Sequence, residues 1–298
     1  MEFREVQQQV FDLYGREAYD EGLAVISDAR SDLPEEDSIL TFYEACLLGM
    51  SGRAQEALEK LEAGFDRGLW WSPGQLADSD LDSVRTLPGW EGVLSRGEQA
   101  ASEMSLLRPD PLVRHAAAER PEGTLVTVHG AGVDPWAHAK RWEAATPTSW
   151  TVITPVGNIP TTSGHWAWPY DLVLDPLIDH LEGSQLARPL ILSGWSQGGG
   201  MAAVMAWVGP LEIDGLLMFG PGLRDRKWDP DSHRHVPTFI VVGDHDLALT
   251  SCLELRDRMT EREAAVFLKE LTDLGRELPD NLAETIQTAL DWFADVGG

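Results

Sequence analysis

The stretch that most constrains the fold is Pro189-Leu190-Ile191-Leu192-Ser193-Gly194-Trp195-Ser196-Gln197-Gly198-Gly199-Gly200. Leu190 to Leu192 read as a buried strand, and Met201 to Val208, rich in Ala and Met, read as an apolar helix. Between them stands a Gly-x-Ser-x-Gly pentapeptide, Gly194 to Gly198. A serine on so sharp a strand-to-helix turn needs neighbours without Cβ atoms, and the two glycines meet that need. Its hydroxyl then projects beyond the strand end. The following helix aims its N-terminal dipole and free N–H groups at the same point. The spacing predicts a nucleophile at Ser196 with a sheet behind it.

From Thr124 onward β-branched runs alternate with helical patterns. Candidate strands are Leu125 to Val128, Thr151 to Thr154, Leu190 to Leu192, Gly215 to Phe219, Thr238 to Val242 and Ala265 to Lys269, and Ala283 to Phe293 closes the chain as a helix. Such alternation predicts an α/β class with a mostly parallel sheet covered on both faces. Sites in these sheets lie at the carboxyl ends of the strands. The loops expected there are His129 to Pro135, Pro155 to Tyr170, the serine turn, Gly243 to Leu249 and Thr272 to Pro279.

The first 107 residues read differently. Phe3 to Tyr14, Glu17 to Ala29, Asp37 to Met50 and Ala54 to Phe65 place apolar residues three and four apart, which predicts an all-helical domain over 1–107 before an α/β domain over 108–298. Arg108 to Gly123 reads as a linker with one short strand. Gly15-Arg16-Glu17-Ala18 and Gly52-Arg53-Ala54 open similar helices 37 residues apart, which resembles a degenerate pair of tetratricopeptide repeats. Two readings stand: a groove for a protein partner, or a helical cap docked on the α/β domain through Leu69, Trp70, Trp71 and Trp90.

Charge narrows the partners. With 23 basic and 49 acidic residues the net charge is −26, a surface that repels nucleic acid and anionic membranes. Lysine is confined to Lys60, Lys140, Lys227 and Lys269, so the basic side is mostly arginine. This composition fits a highly soluble surface or adaptation to salt. No apolar run approaches the roughly 20 residues of a membrane span, and Met1-Glu2-Phe3-Arg4-Glu5 is no signal peptide, so a cytoplasmic location is expected. Cys46 and Cys252 are expected as buried free thiols. No metal or cofactor is expected: cysteine pairs are lacking, and Gly198-Gly199-Gly200 has no Gly-Lys-Ser/Thr ending.

A serine hydroxyl needs a base to take its proton and donors to receive the oxyanion it creates. The glycine-rich turn His129-Gly130-Ala131-Gly132 can present backbone amides, so the N–H groups of Ala131 and Gln197 are the expected oxyanion donors. His129 reads as a structural histidine beside that turn. Tryptophans cluster near the expected site loops, and Trp136, Trp166, Trp168 and Trp195 are candidates to line an apolar pocket, with core packing as the competing assignment.

Gly194-Trp195-Ser196-Gln197-Gly198-Gly199, His129-Gly130-x-Gly132 and Gly243-Asp244-His245-Asp246 together resemble the lysophospholipase/carboxylesterase group of α/β-hydrolases, which includes the acyl-protein thioesterases. The resemblance covers residues 124 to 294. It implies an α/β-hydrolase fold, Ser196 as nucleophile and Asp246 as the acid, with Asp244 the local alternative. Trp168-Pro169-Tyr170-Asp171 resembles the group's aromatic-then-Asp segment. In the group the last strand leads to Gly-His and then a proline. Here Gly275-Arg276-Glu277-Leu278-Pro279 stands instead, so Arg276 occupies the histidine position.

Arginine stays protonated and cannot accept the serine proton. It can pair with Asp246 and donate toward Ser196. His165 and His245 are the alternative bases. His233 and His235 fall toward the wrong end of the sheet, while His115, His138 and His180 are expected on the surface. The expected function is a serine-hydrolase-like protein acting on a carboxylic ester or thioester of a small acyl-type ligand, with a non-standard triad. The alternatives are a catalytically impaired binding protein and a non-hydrolytic enzyme using the same pocket.

Overall fold

The structure is a computed structural model that describes residues 3–106, 112–116, 120–169, 186–223 and 232–296, with Ile178, Leu181, Trp228 and Asp229. The chain forms two compact units: Met1–Leu107 with Pro160–Gly164, and Arg108–Ile159 with His165–Gly298. The helical unit contains α1 (Phe3–Gly15), α2 (Tyr19–Ala29), α3 (Asp37–Met50), α4 (Ala54–Asp66), α5 (Pro73–Leu76) and α6 (Trp90–Leu106). The α/β unit contains β1 (Leu112–His115), β2 (Gly123–Val128), α7 (Pro135–Ala145), β3 (Trp150–Pro155), β5 (His165–Ala167), β6 (Leu190–Trp195), α8 (Gln197–Val208), β7 (Gly215–Phe219), β8 (Thr238–Gly243), α9 (Leu249–Glu261), β9 (Val266–Leu271) and α10 (Leu282–Val296). β4 (Ile159–Thr162) falls mostly in the Pro160–Gly164 segment of the helical unit.

Trp70, Trp71 and Trp90, read from the sequence as apolar surface for docking, belong to a core cluster of the helical unit. All three are buried in the helical unit's own core with Phe42, Leu58, Leu61 and Phe65. Trp71 is fully buried, donates through Nε1 to the Ser38 carbonyl at 2.9 Å and meets the Phe65 ring edge-on at 5.2 Å. Gly64 and Gly97 have no Cβ because Trp71 fills the space where one would stand. Thr162 joins this unit through its hydroxyl contact with Ser38 at 2.9 Å and a bridge to Trp71, which is why the segment after β3 belongs with the helices.

Helices α1 to α4 pack in succession, each on the next. The turns entering α2 and α4 carry their left-handed residue at Glu17 (φ 58°) and Gly52 (φ 80°). The equivalent helix starts are Tyr19 and Ala54. Both comparisons give a spacing of 35 residues, so the Gly15/Gly52 alignment is out of register by two.

In the α/β unit the sheet order is β1-β3-β2-β6-β7-β8-β9, all parallel except β1, which runs antiparallel to β3. β1 is the short strand expected in the linker. Residues 107–111 and 117–119 of that region lie outside the described residues. Central strands β2, β7 and β8 are buried along their whole length. Alternate residues serve opposite faces: Leu190, Leu192, Leu216, Met218 and Ile240 pack with Met201, Ala202, Met205, Cys252 and Met259 from α8 and α9. Ile191, Leu217, Phe219 and Phe239 pack on the other face with Trp142 from α7 and Ile286, Leu290 and Phe293 from α10. Each fully buried aliphatic side chain contributes about 1.5–3 kcal/mol relative to an exposed one. This covering of both faces is what near-continuous apolar strands require.

The connections make β2 the switch point. The chain passes from β2 to β3 on one side and later enters β6 on the other. The crevice for a ligand opens where the order reverses, outside the carboxyl ends of β2 and β6. The register places Val128 opposite Gly194, so His129–Ala131 and Ser196 leave the sheet side by side.

Candidate active site

Ser196 stands between β6 and α8 at φ 54°, ψ −120°, a left-handed conformation that a residue with a Cβ adopts at a cost. The surroundings hold it there. Its N–H donates to the Phe219 carbonyl at 3.0 Å, and its carbonyl accepts from Gly222 at 2.7 Å and Gly200 at 3.2 Å. A Cβ on Gly194 would strike the Gly198 backbone, and one on Gly198 would strike the Val128 and His129 carbonyls. The two glycines therefore let the helix start press against the end of β2, as the pentapeptide predicts.

A cavity of about 450 Å³ opens over this turn. Its walls include Ala131, Ser196, Gln197, Pro221, Leu223 and Arg276, with Leu247, Ala248 and Ser251 completing the α9 side. Ala131 and Gln197 are thus on the cavity with Ser196. The Gln197 amide is in the first turn of α8, whose N–H groups have no acceptor within the helix. The Gln197 side chain is used elsewhere: Oε1 accepts from Trp168 N at 3.0 Å, and Nε2 donates to Trp168 O at 2.7 Å.

Arg276 reaches Ser196. Its Nε donates to the Ser196 hydroxyl oxygen at 3.3 Å. Its place is set from three directions. Trp195 Nε1 donates to the Arg276 carbonyl at 3.2 Å, His245 N donates to Leu274 O at 3.0 Å, and Asp244 Oδ1 accepts from Leu274 N at 3.3 Å. Asp244 is therefore a tie between the loops after β8 and β9.

Asp246 is buried, with 5% exposure, in the loop after β8. Its Oδ1 accepts from Ala248 N at 2.8 Å, and its Oδ2 is buried with no hydrogen-bond partner. The expected Arg276–Asp246 ion pair does not form: among the described residues Arg276 has no carboxylate within 4.0 Å. The reason lies at Gly220 and Gly222. Asp246 Oδ2 and the Arg276 Cγ both lie within 4 Å of where a Cβ on Gly220 would stand. The guanidinium lies further on, with Nη2 beside Gly222 and Nε at Ser196.

No histidine among the described residues hydrogen-bonds Ser196, whose hydroxyl contact is Arg276. His165 is 6% exposed in β5 and does not line the cavity. His245 points outward beside Asp244, 4.0 Å from its Oδ1, with 69% of its side chain exposed. His129 is fully buried, with Nδ1 on the Gly130 carbonyl at 2.7 Å and Nε2 accepting from Gly157 N at 2.9 Å. Burial pushes its pKa down from 6.5 to about 4, so it is the neutral brace of the glycine turn.

His138 is not on the surface. It is buried on the α7 stripe Pro135, His138, Ala139 and Trp142, and burial holds its pKa well below the usual value. His115 packs its Nδ1 3.0 Å from Glu143. His180, Tyr170 and Asp171 lie outside the described residues.

The four candidate tryptophans do not line the cavity. Trp168 is fully buried and donates through Nε1 to the His129 carbonyl at 2.9 Å. Trp166 is buried and pairs by its backbone with Val133, Trp136 is 43% exposed on α7, and Trp195 is committed to Arg276. Sequence reasoning missed the loop Gly220-Pro221-Gly222-Leu223 after β7, which forms one wall. Its signal was available: two glycines and a proline at the carboxyl end of a central strand.

Among the described residues no helix is long and apolar enough to cross a membrane, and no cluster of three metal-ligating side chains occurs. Both expected free thiols are buried, and Cys252 is pushed up to about 12 by burial and then by the Asp246 charge.

No protein-family model and no curated protein matches the chain. Among solved structures it is similar to an uncharacterized protein of Bacillus cereus, at 16% identity over 99% of this chain and 100% of that one, TM-score 0.49. It is similar to acyl-protein thioesterase 2 of Zea mays at 14% identity, covering 63% of this chain and 99% of that one, TM-score 0.48. The Bacillus cereus carboxylesterase matches at 16% identity, covering 63% and 94%, TM-score 0.47. By its own strand order and serine turn, the α/β unit is an α/β-hydrolase fold preceded by a helical region.

Proposed function

We propose that this protein is serine-hydrolase-like and takes a carboxylic ester or thioester at Ser196, with a triad in which Arg276 replaces the histidine. The observation that carries this reading is the conformation of Ser196. A serine held at φ 54° over an open cavity is a strained residue with its hydroxyl presented to a ligand. In the reaction the Ser196 oxygen forms a bond to the acyl carbon, and the amides of Ala131 and Gln197 receive the oxyanion. The leaving group departs with the bonding electrons, and water then releases the acid. The proton of Ser196 goes to solvent, because the guanidinium beside it donates hydrogen bonds and accepts none.

Acylation is therefore slow and turnover slower. In a protease of the same logic, losing the histidine costs about a millionfold in turnover and leaves roughly 10³–10⁴ over water. The test is a fluorophosphonate probe followed by peptide mapping. The reading predicts modification at Ser196, with fluoride released and an oxygen–phosphorus bond formed, and none in Ser196→Ala. A folded wild-type protein left unmodified at Ser196 after prolonged exposure would refute it.

A further inference from the structure

The cavity over Ser196 carries a charge that ester chemistry alone does not require. Arg276 is exposed at its wall, donates to Ser196 and has no carboxylate within 4.0 Å among the described residues. Among the described residues no Asp or Glu lines the cavity, in a chain whose net charge is −26. Asp246 is buried, its Oδ1 bonded to Ala248 N, and it is not among the residues lining the cavity. The other polar groups at this end are donors as well: the Ser196 hydroxyl and the first-turn amides of α8, a helix of 12 residues whose dipole favours an anion. Pro221, Leu223, Leu247 and Ala248 also line the cavity and offer apolar surface.

We propose that this cavity binds a monocarboxylate with a short apolar tail, its carboxylate held by the Arg276 guanidinium and the Ser196 hydroxyl. The inference rests on the acyl-site reading above and names the charged form of the acyl ligand that the site prefers. An arginine fork matches two carboxylate oxygens, and its charge stays fixed at any working pH. The tail lies along Leu223, Leu247 and Ala248. A cavity of about 450 Å³ is within the range of small-molecule sites. The same arginine that withholds base catalysis from Ser196 thus gives the pocket its selectivity: a free acid is favoured over the neutral ester it would come from.

The test uses the full-length protein and isothermal titration with hexanoate, hexanamide and inorganic phosphate. Hexanoate should bind at least about tenfold tighter than the isosteric amide, the worth of one charge-assisted contact, and added salt should weaken it. Arg276→Gln, which keeps the stem and a donor, should abolish the preference at unchanged melting temperature. Arg276→Lys should retain part of it.

Equal binding of hexanoate and hexanamide, or an Arg276→Gln protein that still prefers hexanoate, would overturn the proposal. So would phosphate binding as tightly as hexanoate, since the tail would then count for nothing. Failure is separable from that of the function proposed above. Ser196 labelled by fluorophosphonate with no protection by hexanoate refutes carboxylate binding alone. Hexanoate binding without any labelling refutes the serine chemistry alone.

Discussion

Arg276 holds Ser196 through a 3.3 Å hydrogen bond from Nε to Oγ, while Asp246 lies beside the same arginine's stem with its Oδ2 unpartnered. Asp246 Oδ2 and the arginine Cγ both lie against Gly220, while the guanidinium reaches Gly222 and Ser196. Ala131, Gln197 and Arg276 share one cavity with Ser196, and no histidine among the described residues hydrogen-bonds the serine.

The conformation of Ser196 carries a measurable cost. Glycine adopts φ 54° freely, so Ser196→Gly should stabilise the α/β unit by about 1 kcal/mol, which is about 2–4 °C in melting temperature. Ser196→Ala keeps the Cβ and should not show the gain. Thermal unfolding followed by circular dichroism decides between them. Equal melting temperatures for the two variants would mean the turn is unstrained.

In the helical unit, Trp71 is a core residue. Trp71→Ala removes a fully buried ring and its hydrogen bond to Ser38, and should cost about 3–5 kcal/mol in denaturant unfolding. Trp136→Ala, at an exposed ring, should change stability by no more than about 0.5 kcal/mol. A mild Trp71→Ala would show that the ring sits on a surface after all.

Acid sensitivity follows from His129. Its pKa is about 4 in the folded chain against the ordinary 6.5, so the unfolded state binds more protons between these values. The stability it contributes is complete above about pH 6.5 and is lost as pH falls toward 4. Buried His138 acts in the same direction. Replacing His129 by Gln, which can donate and accept like the ring, should flatten the stability slope between those pH values. Parallel slopes for wild type and variant would place the acid response in the carboxylates.

The sequence revealed the parts of this fold whose requirements are local. Gly194 and Gly198 are demanded by contacts within a few residues of Ser196, and the strand runs carry both faces of the sheet in their own apolar content. Arg276 was expected within reach of Ser196 because the loop after the last strand ends at the same edge of the sheet, and its Nε does reach the serine hydroxyl. The pocket wall Gly220–Leu223 was missed because its role depends on β7 lying beside β6, a tertiary fact. The tryptophans were misplaced for a related reason: near neighbours in sequence, Trp136, Trp166 and Trp168 lie on different elements with different burial. His138 had a signal that went unread, since it falls on the i, i+3, i+4, i+7 stripe of α7.

The most direct measurement is the rate of p-nitrophenyl butyrate hydrolysis by Arg276→His. If Arg276 occupies the place of the missing base, the new imidazole finds an acceptor waiting at Asp246 Oδ2 and a hydroxyl at Ser196. The rate should rise by about 10²-fold over wild type, the low end of what a positioned general base contributes, and adding Ser196→Ala should remove the whole gain. A folded Arg276→His protein no faster than wild type would contradict the account.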